Sequence, residues 1–160
     1  MTISTGDKLP AIKMAVMGIQ GPEAITTNDI FSGKKVVLFA LPGAFTPTCS
    51  AAHLPGYLAS HDAIKAKGVD TIACLAVNDA YVMGAWGQAQ NVGDKILMLA
   101  DGNSDFTHAI GLEIDRTAAY MGTRSQRYAM IVEDGIVTHL NVEVAPQFEV
   151  SDAETMLNLL

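Results

Sequence analysis

The chemistry open to this sequence starts at Cys49, one of two cysteines in 160 residues. Thiolates are intrinsically strong nucleophiles, so what matters is whether the neighbours of Cys49 favour the ionised form. It closes the run Leu41-Pro42-Gly43-Ala44-Phe45-Thr46-Pro47-Thr48-Cys49, where an apolar strand has ended and a helix is due to begin. Thr46 or Thr48 can cap that helix, and Pro47 suits its first turn. Unpaired backbone N–H groups and the positive end of the helix dipole meet at such a start and favour thiolate. The dipole contributes only about 0.3–1 kcal/mol at an exposed site, under about one pKa unit, against a free-thiol pKa of ~8.5. A cation has to supply the rest. Arg124 and Arg127, two of the chain's three arginines, flank the start of a core strand. Their offset of three aims them at opposite faces of a strand, so one of them is expected to face Cys49.

Other reactive types give weaker signals. Cys74 lies in the apolar run Asp70 to Val77 and reads as core packing. A disulfide needs Cα atoms within about 7 Å, and a central strand offers little freedom to approach Cys49. The four histidines, His53, His61, His108 and His139, have no spacing that resembles a zinc site, so no metal is expected. His53 could support the helix that follows Cys49 or face solvent. Phe45, Met83 and Trp86 suit a dimer interface or the core equally.

These residues need a scaffold. Residues 6–26 are punctuated by Gly and Pro, consistent with a small hairpin or an irregular arm, and Asn28 to Phe31 forms one helical turn closed by Gly33. Lys35 to Leu41 is a continuous apolar run rich in Val, as expected of a strand buried on both faces. Ser50 to Lys67 has helical spacing and stops at Gly68, and Asp70 to Val77 is a second buried strand. Strand, helix and strand at this spacing make a βαβ unit with parallel pairing. A helix capped by Asn78-Asp79 fits 80–90, followed by a short strand at 96–100 and a short helix at 104–110. Asp134-Gly135 between the apolar runs 127–132 and 136–140 is a hairpin signal. Ser151 caps a terminal helix. A βαβ half followed by a ββα half predicts an α/β protein with a thioredoxin-like fold, its central mixed sheet flanked by helices, in a single domain spanning 1–160.

The cysteine run carries a resemblance. Pro42-x-x-x-Thr46-x-x-Cys49 matches the peroxidatic motif of the peroxiredoxins, and its continuation to His53-Leu54-Pro55-Gly56 resembles the type-II, or type-five, subgroup. Val77 to Val82, Trp86-Gly87, Leu99 to Asp101 and Gly122 to Met130 support it, so the likeness covers nearly the whole chain. It implies a thiol peroxidase without metal or organic cofactor, acting on hydrogen peroxide and alkyl hydroperoxides. Cys49 would be the nucleophile, Thr46 would hold the peroxide, Pro42 would shield the thiolate from water, and Arg127 would stabilise the thiolate and orient the peroxide. The resemblance also implies a homodimer. Many relatives carry a resolving cysteine in the loop before the last helix, whereas residues 143–151 here contain none. The expectation is therefore a one-cysteine cycle, with glutathione and glutaredoxin, or thioredoxin, as reductant.

Composition narrows the alternatives. Hydrophobic residues at 49% and charged residues at 17% exclude a disordered chain. A net charge of −7 argues against nucleic acid and anionic membranes as partners. The amino terminus has no signal-peptide pattern and two cysteines make no disulfide framework, so a cytoplasmic protein is expected. A mean hydropathy of +0.25 favours self-association. Thiol–disulfide exchange would want Cys-x-x-Cys, which is absent. A redox sensor, or another regulatory thiol protein, is the remaining competitor, and it would react once rather than turn over.

Overall fold

The computed structural model describes residues 1–160. Strands β1 (Lys13–Gly18) and β2 (Gly21–Thr26) form a hairpin, so the opening segment is the ordered alternative of the two expected. Helix α1 (Thr27–Phe31) follows, held by a capping box in which Thr26 and Asp29 exchange side-chain and backbone hydrogen bonds. The Val-rich run becomes β3 (Lys35–Ala40), and the second apolar run becomes β4 (Thr71–Ala76). They pair in parallel, with Phe39 opposite Cys74.

The connection between them is not one helix. A π-helical turn over Cys49–His53 leads into α2 (Leu54–Ala59), and α3 (His61–Ala66) follows after a break at Ser60. The backbone N–H of Leu54 reaches back five residues to the carbonyl of Cys49, which widens this turn. Gly68, at φ +88°, ends the crossover in the left-handed conformation that a residue with a Cβ rarely adopts.

Helix α4 (Ala80–Ala89) is capped by Asp79, whose carboxylate accepts from the N–H of Val82. Then come β5 (Leu97–Ala100), α5 (Asp105–Ala109) and a two-stranded ribbon of β6 (Glu113–Asp115) with β7 (Thr123–Ser125). Strands β8 (Tyr128–Glu133) and β9 (Ile136–Val142) form the expected hairpin. The last helix, α6 (Ala153–Leu157), is capped by Asp152 rather than Ser151, because the Asp152 carboxylate accepts from the N–H of Thr155. Ser151 is buried and serves the interior instead.

The main sheet runs β2-β1-β5-β4-β3-β8-β9. Strands β5, β4 and β3 run parallel to one another, and β1, β8 and β9 join antiparallel, giving a mixed sheet. Side chains alternate across it. Val37, Phe39, Cys74 and Ala129 enter one core with Cys49, Leu54, Tyr57 and Trp86. Val36, Leu38, Ala73 and Met130 enter the opposite core with Phe31, Phe106 and Leu112. Helices therefore cover both faces, and Cys49 belongs to the face covered by α2, α4 and α6. No helix is long and apolar enough to cross a membrane.

Candidate active site

The site is built where β3 ends. Leu41 is still tied to the sheet, donating to the carbonyl of Leu75 at 3.2 Å, and Pro42 then releases the chain from the ladder. The turn beyond is held by Ala44 N–H, which donates to the Asn78 side chain at 2.9 Å, and bends at Phe45, whose φ is +63°. Ser50 N–H donates to the Thr46 carbonyl at 3.0 Å, the first i→i−4 bond of the helix. Thr46 thus stands at the cap position with Pro47 next, as the sequence suggests. Neither threonine caps with its side chain: Thr48 makes no such bond, and the Thr46 hydroxyl donates to the Gly43 carbonyl at 2.7 Å.

Cys49 sits in this first turn and is fully buried. Arg127 reaches it from the residue before β8: its Nη2 donates to Cys49 Sγ at 3.2 Å. The other arm, Nη1, lies 2.7 Å from His53 Nδ1, and the guanidinium stands 5.6 Å above the centre of the Phe148 ring. Arg124 is in β7 of the small ribbon, so the two arginines do not share a strand and the opposite-face rule does not govern them. Both approach the site, since Arg124 Nη1 donates to the Pro42 carbonyl at 3.3 Å.

A cavity of about 340 Å³ opens beside this cluster. Pro42, Thr46, Thr48, Arg116, Gln126 and Arg127 are on its wall, and Cys49 lies behind that wall, linked to it through Arg127. A larger groove of about 960 Å³ runs between α3, α4 and the β1 end, and contains none of these residues.

His53, whose role the sequence left open, is buried, and its Nε2 lies 3.0 Å from the Ser151 carbonyl, which also accepts from the Tyr57 hydroxyl at 2.7 Å. Burial and the Arg127 charge push its pKa down to about 3, against the opposing pulls of Ser151, Glu143 and Asp152. Cys74 is fully buried in the middle strand, and burial pushes its thiol well above the ordinary range, with Cys49 adding to the rise. Met83 and Trp86 are fully buried, so they are core residues, while Phe45 keeps 56% of its surface exposed. No group of three His, Cys, Asp or Glu is placed to hold a metal.

Residues 4–157 match the family model described as Redoxin. The chain is 46% identical to the chloroplastic peroxiredoxin-2E-2 of Oryza sativa subsp. japonica, over 99% of its own length and 73% of the relative's. The chain belongs to the peroxiredoxins. A peroxiredoxin of Synechocystis is 50% identical over 84% of this chain and 75% of its own. The solved structure of reduced Prx3 from Vibrio vulnificus in complex with hydrogen peroxide superposes with a TM-score of 0.95 at 56% identity, covering 99% of each chain. This peroxiredoxin is accordingly a thiol-dependent peroxidase with a thioredoxin-like fold.

Proposed function

We propose that Cys49 is the peroxidatic nucleophile of a one-cysteine cycle. The reading rests on the 3.2 Å donation from Arg127 Nη2 to Cys49 Sγ beside a solvent-open cavity. The thiolate attacks one oxygen of a hydroperoxide, and the O–O bond breaks. The other oxygen leaves as hydroxide or alkoxide and takes a proton, giving water or an alcohol, while Cys49 becomes a sulfenic acid. Arg127 stabilises charge on sulfur and, as the bond breaks, on the departing oxygen. The Thr46 hydroxyl spends its proton on Gly43, which leaves its oxygen free to accept the O–H of the peroxide. Pro42, on the cavity wall with no N–H of its own, shields the thiolate from water.

The chain has no third cysteine, and Cys74 is locked in β4. An external thiol therefore completes the cycle. A first thiol attacks the sulfenic sulfur and releases water, and a second attacks the mixed disulfide, releasing a disulfide and restoring Cys49. Glutathione with glutaredoxin, or thioredoxin, fits this chemistry. The working form is a cytoplasmic homodimer of single-domain chains of residues 1–160.

Stopped-flow reaction of reduced protein with one equivalent of hydrogen peroxide, with intact-mass analysis, tests this. Cys49→Ser should abolish fast peroxide loss, Arg127→Ala should slow it by roughly 10²-fold or more, and Cys74→Ala should keep both reaction and recycling. An internal disulfide in the wild type, with recycling lost in Cys74→Ala, would refute the one-cysteine cycle.

A further inference from the structure

We infer that Arg116 is a specificity residue of the active-site cavity, receiving the carboxylate of a small anionic thiol as that thiol recycles Cys49. This rests on the sulfenic Cys49 of the proposed function and names the class of its reductant.

Three arginines adjoin the cavity, and two are engaged within the protein. Arg127 directs Nη2 to Cys49 and Nη1 to His53. Arg124 donates through Nε to the Met121 carbonyl at 2.9 Å and through Nη1 to the Pro42 carbonyl. Arg116 is half-buried on the cavity wall, and its guanidinium makes neither a hydrogen bond nor an ion pair within the molecule. Its backbone, by contrast, is fixed. The Arg116 N–H donates to the Gly122 carbonyl at 2.7 Å, and its carbonyl accepts from the N–H groups of Ala119 and Met121 at 2.9 and 3.1 Å. An anion docking there orders one side chain and no loop.

The nearby carboxylates are turned elsewhere. Asp115 accepts from the N–H of Thr117 at 2.8 Å. Glu143, the one carboxylate on the wall, directs its oxygens to the N–H groups of Glu149, Val150 and Ser151. Arg116 therefore offers an unneutralised fork of donors, the geometry that takes a carboxylate in bidentate fashion.

Size and lining point to the thiol rather than the peroxide as its ligand. Hydrogen peroxide needs little more room than a water molecule, about 30 Å³ in the liquid, whereas the cavity holds about 340 Å³. Apart from three prolines, only Ile114, Met121 and Ala145 of its lining are apolar, which suits a short hydrophilic thiol better than an acyl chain. Arg127 belongs both to the wall and to the contacts of Cys49, so a thiol anchored at Arg116 shares the cavity with the approach to the sulfur. Its thiolate attacks the sulfenic sulfur, the S–O bond breaks as the S–S bond forms, and the departing hydroxide takes a proton to become water.

A charge series of thiols tests this. Protein oxidised with one equivalent of hydrogen peroxide is mixed with excess thiol and quenched, and the mixed disulfide is followed by intact mass. Mercaptopropionate, mercaptoethanol and cysteamine present an anion, a neutral group and a cation on similar short chains. Taking each variant against the wild type, thiol by thiol, cancels their differences in intrinsic reactivity. Arg116→Gln should lose about fivefold or more with mercaptopropionate and with glutathione, change under about twofold with mercaptoethanol, and gain with cysteamine. Arg116→Lys should recover part of the loss, because it keeps the charge without the fork. Equal losses with all three short thiols, or no loss with the anionic ones, would overturn the inference. A loss confined to oxidation by linoleate hydroperoxide, absent with tert-butyl hydroperoxide, would place the carboxylate on the peroxide and overturn it as well. A wild type that forms no sulfenic acid at Cys49 would instead overturn the proposed function. Circular dichroism on each variant verifies that the fold survives.

Discussion

Glu143 carries more hydrogen bonds than any other carboxylate of the molecule, and its acid response is readable from them. Its oxygens accept from the N–H of Glu149, Val150 and Ser151 and from the Ser151 hydroxyl, at 2.7 to 2.9 Å. Burial works to raise its pKa, but the bonds donated by Glu149, Ser151 and Val150 outweigh it and hold the group below its ordinary value. A depressed folded pKa contributes stability that is complete above the unfolded value of ~4.3 and is lost as pH falls through the folded one. Glu143→Gln leaves one acceptor oxygen and turns an NH₂ toward backbone donors. The variant should be less stable by about 1–3 kcal/mol at pH 7, with the gap to wild type closing below about pH 4. Urea denaturation at pH 7 and pH 3 measures both; an unchanged gap at pH 3 would rule out the carboxylate charge as its source. At this scale the motif pointed to Cys49, Thr46 and Arg127, and the fold brings Arg127 onto the Cys49 sulfur. It carried a readable hint of His53 as well: a residue four beyond Cys49 shares its helix face. What it could not show is that Arg127 and His53 meet, since 74 residues separate them.

At the scale of elements, continuous apolar runs bounded by Gly and Pro located β3, β4 and β8 because strands buried on both faces need no alternation. The β6–β7 ribbon leaves no periodic signal in the sequence, because its strands are three residues each and partly exposed. Arg124 therefore belongs to that ribbon and Arg127 to the approach to β8, rather than both to the start of one strand. Helical spacing predicts one continuous helix after Cys49, because it does not distinguish an i→i+5 turn from an α-turn. That turn is pinned from α4, where the Trp86 indole donates to the Ser50 hydroxyl at 3.1 Å and the Gln90 amide to the Ser50 carbonyl at 3.3 Å. Strand β4, by contrast, is the middle strand of seven, paired on both sides. Exposure of Cys74 should then require global unfolding. A thiol reagent in excess should leave Cys74 unmodified in the native chain, its labelling appearing at the rate at which the circular dichroism signal is lost. Labelling of both thiols before that loss would show that β4 opens locally and would reinstate Cys74 as a possible resolver.

At the scale of the whole molecule, positive charge is unevenly placed. The net charge is −7, yet all three arginines adjoin one cavity: Arg116 and Arg127 on its wall, and Arg124 on the Pro42 carbonyl. None of the seven lysines lines it. One large aromatic is exposed nearby: Phe45 stays 56% exposed although its ring stands 6.5 Å from the buried Trp86. Its φ of +63° is unusual for a bulky residue and turns the side chain outward from the active-site loop. An exposed aromatic on a strained, functional loop fits the edge of an interface. A stable dimer needs about 800 Å² from each partner, roughly a tenth of the 7777 Å² surface of this chain. Sedimentation of the wild type should therefore give about twice the 16.9 kDa of one chain. Phe45→Asp would place a desolvated charge in the contact and should shift the mass toward one chain. A wild type that sediments as a single chain at tens of micromolar would dispose of the homodimer. A dimer that persists in Phe45→Asp would move the interface to another face and leave Phe45 as an exposed part of the active-site rim.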